Sequence, residues 1–320
     1  MRKLTRLLAV AVVVLLVALP AAAQYPAKPI RLLMPFPAGA TADTVARIVA
    51  QPLSQVLGQP VLVDNKPGAD GAIAAELTAR SVPDGYTLFS AGNTPMLGVP
   101  TLRKNPPYDP VADFAPITSM VKYAFFLVVH PSVPAKTLPE LIDHVRANPG
   151  KFNYASGNIN GILAAAQLIS FGKLQMVHVP YKGEVLAVPD LLNARVHIMF
   201  GTGGITVPLV KEGKLRALAT LLPARSPMLP DVPTITEAGM PQLSVVIWQG
   251  LFGPAKMPKE IVDRLSREVN AILQRSVVRE RFEKLGVEAS GSTPEEFAAF
   301  LKQQLVDWGR AAHEAGMKPE

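Results

Sequence analysis

This 320-residue chain has five histidines, 25 acidic residues and no cysteine, and those counts bound its chemistry. The histidines are His130, His144, His178, His197 and His313. None stands in an H-x-x-x-H or H-E-x-x-H arrangement, and there is no thiolate, so no recognisable metal-ligand spacing exists. Ser156 precedes Gly157, but no G-x-S-x-G places a serine on a strand-to-helix elbow. Gly201-Thr202-Gly203-Gly204 lacks the third glycine of a dinucleotide fingerprint, and no Gly-Lys-Ser/Thr follows a strand. What remains is a set of short polar loops rich in small residues: 35–43, 91–95, 156–161 and 201–204. A small-residue loop opening onto a helix N-terminus presents free N–H groups and the positive end of the helix dipole, which hold small anions. The candidate ligand-binding residues are therefore Phe36, Ala38, Gly39, Ala40, Thr41, Ala42, Asp43, Asn93, Thr94, Ser156, Gly157, Asn158, Asn160, Gly161, Gly201, Thr202 and Gly203. No catalytic residue, metal or cofactor is expected. Asp43 has a second reading as a first-turn carboxylate that steadies its own helix by roughly 0.3–1 kcal/mol. Lys182 could meet a carboxylate or be merely solvated, and Tyr181 and Trp248 could wall a ligand or pack in a core.

These loops need a scaffold that brings them together. From residue 30 the sequence alternates short apolar runs with amphipathic stretches, which specifies a parallel sheet covered by helices. Residues 30–34 read as a buried strand, and 41–57 as a helix capped by Thr41 and ended by Gly58, with Pro52 expected to kink or break it. Further strands are expected near 61–64, 86–90, 152–155, 176–179, 196–200 and 215–220, and helices near 71–80 and 162–169. Thr137-Leu-Pro-Glu140, Thr234-Ile-Thr-Glu237 and Thr293-Pro-Glu-Glu296 read as capping boxes. The run 114–130 is too long for one ordinary strand and reads as a strand pair or a crossover into a second lobe, and the apolar run 244–252 reads as the return crossover. The expected fold is a two-lobed α/β clamshell, each lobe a mainly parallel sheet covered by helices. Lobe one spans 24–123 plus 245–320, and lobe two 124–244. The strand–loop–helix at 30–50 is echoed at 152–169, one copy per lobe. In open α/β sheets the ligand crevice lies at the carboxyl ends of the strands, where all four loops fall.

Residues 1–23 read as a secretion signal: Arg2, Lys3 and Arg6, an apolar run over 7–19, then Ala21-Ala22-Ala23. The run is short for a membrane-spanning helix. The mature chain is thus expected to be periplasmic and soluble, with cleavage near Ala23. The signal carries three basic residues and no acidic ones, so the net charge of +7 falls to about +4 after cleavage. No basic run is interleaved with aromatics, which weighs against nucleic acid.

Several motifs resemble a known family in combination: Pro35-Phe-Pro through Asp43 and Arg47, Leu57-Gly-Gln-Pro-Val61, Asn65-Lys-Pro-Gly68, Pro83-Asp-Gly-Tyr86, His178-Val-Pro-Tyr-Lys-Gly183, Leu229-Pro-Asp-Val-Pro-Thr234 and Trp248-x-Gly250. The chain resembles the extracytoplasmic solute-binding receptors of tripartite tricarboxylate transporters, the Bug receptors. The resemblance implies a monomeric clamshell gripping a small carboxylate between loops 35–43 and 155–161, in part through ordered waters. It also implies docking onto a two-subunit membrane permease. Where such receptors usually carry Pro-Pro-Gly-Gly, this chain has Pro37-Ala38-Gly39-Ala40. A bulky residue at Gly39 or Gly157 is expected to abolish binding and leave the fold intact. The alternatives are a secreted α/β enzyme acting on a small carboxylate, against which the missing catalytic constellation counts, and a ligand sensor feeding a signalling partner.

Overall fold

The first strand–loop–helix unit sets the pattern that the rest of the chain repeats. The structure, a computed structural model, describes residues 25–319 apart from Ser244; the expected signal sequence 1–23 lies outside those residues. β1 (Ile30–Met34) is buried except at Arg31, as an apolar run covered on both faces should be. It pairs in parallel with β2 (Val61–Asn65) and β3 (Thr87–Gly92). β4 (Phe114–Tyr123) leads to β5 (Phe125–Val129), and β6 (Phe152–Ser156), β7 (Met176–Pro180), β8 (Ile198–Thr202) and β9 (Arg216–Thr220) follow. β10 (Trp248–Pro254) and β11 (Val287–Ala289) complete the strands. One sheet has the order β11-β4-β10-β3-β1-β2 and the other β7-β6-β8-β5-β9.

Both sheets are mixed rather than mainly parallel. The parallel halves, β1–β3 and β6–β8, come from strand–helix units. The other halves are antiparallel because the strands flanking the crossings enter against that direction. The long run 114–130 resolves into β4 in one sheet and β5 in the other, with Ala124 between them. The chain returns to the first sheet between Thr220 and Trp248.

The helix Thr41–Leu57 runs unbroken through Pro52. Proline removes one hydrogen bond, and the buried stripe Val45, Ile48, Val49, Leu53 and Leu57 holds the helix to its sheet regardless. Its N-cap is Ala40 rather than Thr41, with no side-chain cap, because Asp43 turns back to the preceding loop instead. Thr293 and Glu296 close a full capping box on the helix Pro294–Glu314. Thr137 caps Glu140, but the Glu140 carboxylate accepts from Lys136 N–H, one residue before the expected place. The helix Ser276–Lys284 and β11 have no counterpart in the sequence reading, since the helix buries just Val278 and Phe282 and shows no stripe. Trp248 is 1% exposed and sits among Phe252, Phe297 and Phe300, so it is core packing and not a ligand wall.

Candidate functional site

Between the sheets lies a cleft of about 1420 Å³, at the carboxyl ends of the parallel strands. Its walls come from the loops after β1, β2 and β3 on one side and after β6 and β7 on the other, with residues 102–105 and 317–318 at its margin. Of the residues singled out in sequence, Phe36, Thr94, Ser156, Gly157 and Asn158 line it. Tyr181 and Lys182 line it too. The rest of the wall is apolar at Val99, Leu102, Ile159, Ile162 and Met317, and charged at Asp70, Arg103, Lys104 and Lys318. Arg103 donates to Ala69 O at 2.9 Å and stands 3.8 Å from Asp70. No ion pair among the described residues involves Lys104, Lys182 or Lys318, so the cleft carries net positive charge.

Residues 38–43 of the first loop do not reach the lining, which Pro35 and Pro37 join beside Phe36, and Asp43 is the reason. Its carboxylate is 2% exposed and accepts from Gly39 N–H at 2.9 Å, Asn65 Nδ2 at 2.8 Å and Arg47 Nε at 3.0 Å. Asn65 Nδ2 also donates to Phe36 O at 2.9 Å. The loop is folded back on its own anchor: Ala38 and Gly39 stand exposed, and Ala40 N–H donates to Pro37 O. Thr41 opens the helix, and Ala42 O accepts from Gln249 Nε2. Burial pushes the Asp43 carboxyl up, but the Arg47, Asn65 and Gly39 hydrogen bonds together hold it below the usual carboxylate range.

Asn93 is likewise structural. Its amide bridges Val246 O at 2.7 Å and Trp248 N at 3.0 Å, pinning the returning crossing to β3. Asn160 and Gly161 fall in the first turn of the helix Ile159–Gly172, which begins earlier than expected because Asn158 caps it by accepting from Gly161 N–H. Asn160 is buried with its Oδ1 unpartnered. Gly201 pairs with Phe126 inside the second sheet. Gly203 packs on Ala124, Phe126 and Gly286, and a Cβ on Gly204 would lie 2.8 Å from Leu285 O. The 201–204 loop therefore serves the contact between lobes and does not line the cleft. Thr202 gives both N–H and Oγ–H to Glu184, at 2.9 and 2.7 Å.

Ser156 Oγ lies 2.6 Å from His178 Nε2, and the His178 ring stacks on Tyr154 with centroids 4.8 Å apart. Burial lowers the His178 pKa, favouring the neutral ring. Gly157 is there for contact: a Cβ on it would lie 2.2 Å from Glu184 N. The sequence reading missed the turn 67–71, residues 102–105, Met317 and Lys318. Asn65-Lys-Pro-Gly68 carries turn residues that signal the first of these, but nothing in the sequence places Met317 and Lys318 at the cleft.

Two mixed α/β lobes joined by two crossings, with the cleft at the strands' carboxyl ends, define a solute-binding protein of the periplasmic type. The family model for the tripartite tricarboxylate transporter family receptor matches residues 45–317, and the chain belongs to that family. It is 33% identical over 324 residues to BugT of Bordetella pertussis, covering 98% of this chain and 99% of that protein. A solved R. palustris protein with adipate superposes with a TM-score of 0.85 at 30% identity, covering 92% of this chain and 100% of that one. MatC of Rhodopseudomonas palustris with bound malate gives 0.80 at 29% identity, covering 90% and 99%.

Proposed function

We propose that this chain is a periplasmic receptor that closes its cleft on a small carboxylate and delivers it, as a monomer, to a two-subunit membrane permease. One observation carries the ligand class: among the described residues, the cleft sets the N-terminus of the helix Ile159–Gly172 and three lysines in no ion pair against a single aspartate, an excess of positive potential suited to an anion. Adipate and malate in the two structural neighbours support a carboxylate. The proposed grip is Phe36, Thr94, Ser156, Gly157 and Asn158, with Tyr181, Lys182 and Arg103 around them. The signal is proposed to direct export and to be cleaved near Ala23, which mass measurement of the mature chain checks.

A thermal-shift panel of mono-, di- and tricarboxylates and aromatic acids tests the reading. An acid at 100 times its Kd should raise the unfolding free energy by about 2.7 kcal/mol. No shift with any acid would contradict carboxylate binding. Loss of uptake of the identified acid in a deletion strain would support delivery to a permease, and unchanged uptake would favour the sensor alternative.

The Ser156–His178 pair favours one second reading, a hydrolase. No carboxylate is hydrogen-bonded to the His178 ring among the described residues, so the pair lacks the group that would orient the base. Turnover of an ester panel, abolished by Ser156→Ala, would establish that reading over the receptor.

A further inference from the structure

Two carboxylates are buried among the described residues, Asp43 and Glu184. Asp43 has Arg47 beside it, whereas no ion pair among the described residues involves Glu184. An unpaired charge is costly to bury and persists where neighbouring donors are arranged to satisfy it. Glu184 has three. Its Oε2 accepts from Thr202 N–H at 2.9 Å and Thr202 Oγ–H at 2.7 Å, and its Oε1 accepts from Asn158 Nδ2. Burial raises its pKa against the lowering effect of those bonds, yet the partners form a cradle for the ionised group.

The partners stand on different loops. Asn158 follows β6, Glu184 follows β7 and opens the helix Glu184–Leu192, and Thr202 ends β8. Gly157 lies against the Glu184 backbone too closely for any Cβ, and Tyr181 N–H donates to Ser156 O at 2.8 Å. We propose that Glu184 is a positioning residue for the second-lobe half of the cleft, its carboxylate tying the loops after β6, β7 and β8 into one preset unit. Both ends of the Asn158 amide are then spent inside the lobe, on Glu184 and on Gly161 N–H. The N–H groups of Gly157 and Asn158 donate to no protein acceptor among the described residues and remain as the loop's donors for a bound anion. This inference rests on the cleft being the carboxylate site.

Glu184→Gln keeps the volume and removes the charge. A carboxamide must present its NH₂ to a donor, so it breaks the tie to Asn158 or to Thr202 N–H. Two measurements separate positioning from bulk stability: amide hydrogen exchange of peptides covering 156–162 and 201–207 in the ligand-free protein, and adipate titration. Exchange in both peptides should rise about tenfold while first-lobe peptides hold, and the adipate Kd should weaken about tenfold, as loss of one charged hydrogen bond implies. Thr202→Val should weaken binding in the same direction, and Thr202→Ser should restore it. Wild-type exchange and affinity in Glu184→Gln would overturn the proposal. So would a melting temperature lowered with an unchanged Kd, or tighter adipate binding. If the wild type binds no carboxylate the receptor reading fails, and the exchange comparison alone still decides the role of Glu184.

Discussion

Asp43 sits at the head of the loop most visible in the sequence, and the protein's own donors occupy it. Removing its carboxylate strands Gly39 N–H and Asn65 and frees Arg47. Asp43→Ala should lower the unfolding free energy by about 2–4 kcal/mol in urea titrations and weaken carboxylate binding through loss of loop shape. Its folded pKa is depressed, so its stabilisation is present above the ordinary aspartate value and is lost as pH falls through the lower folded value. The acid arm of the wild-type stability curve should therefore flatten in Asp43→Ala. Sequence spacing showed Asp43 near a functional loop but could not show which way it faces, because that depends on Asn65 reaching it from the end of β2, beside Arg47 one turn along the same helix. The expectation of an intact fold after change at Gly157 is corrected by the 2.2 Å approach to Glu184 N. Gly157→Ala should displace the helix Glu184–Leu192 and lower the melting temperature as well as abolish binding. Gly39→Ala meets nothing within 4 Å and strains only its φ of +84°, at about 1 kcal/mol. Comparing the two melting curves checks both. His178 is held neutral by burial, so the unfolded chain takes up the proton first and stability falls as pH drops below about 6.5. Between pH 7 and 5.5 the urea midpoint should fall less in His178→Gln than in wild type, with some slope left from His197, whose pKa burial also lowers.

Elements with strong local signals were legible, and those held by distant contacts were not. The buried strand at 30–34, the stripe of the first helix and the Thr293 capping box all encode their structure within a few residues. Pro52 misled because tertiary packing outweighs one missing hydrogen bond. The register of β10 was illegible for a similar reason. Gly250 is needed there because the Phe297 ring fills the place of its Cβ, 2.1 Å away, on a helix nearly fifty residues later. Gly250→Ala should push that ring off Trp248 and cost about 1–3 kcal/mol, read as a shift of the chemical denaturation midpoint.

At the scale of the molecule, two lobes meet at a cleft on one side and at a packed seam on the other. The cleft was foreseeable from four loops at the carboxyl ends of strands. Which loops face it was not, because the 201–204 loop lies in the seam against Leu285 and Gly286 while Met317 and Lys318 reach the cleft. Arg103 with Lys104, Lys182 and Lys318 come from three separate stretches, so their shared positive field exists only in the folded state. The most direct test is calorimetric titration of the mature protein with adipate, malate and a wider carboxylate panel. Saturable binding of at least one acid is expected, with one site per chain, no conversion of it, and a weaker Kd in Lys182→Ala. A folded protein that takes up none of these acids, or that turns one over, would contradict it.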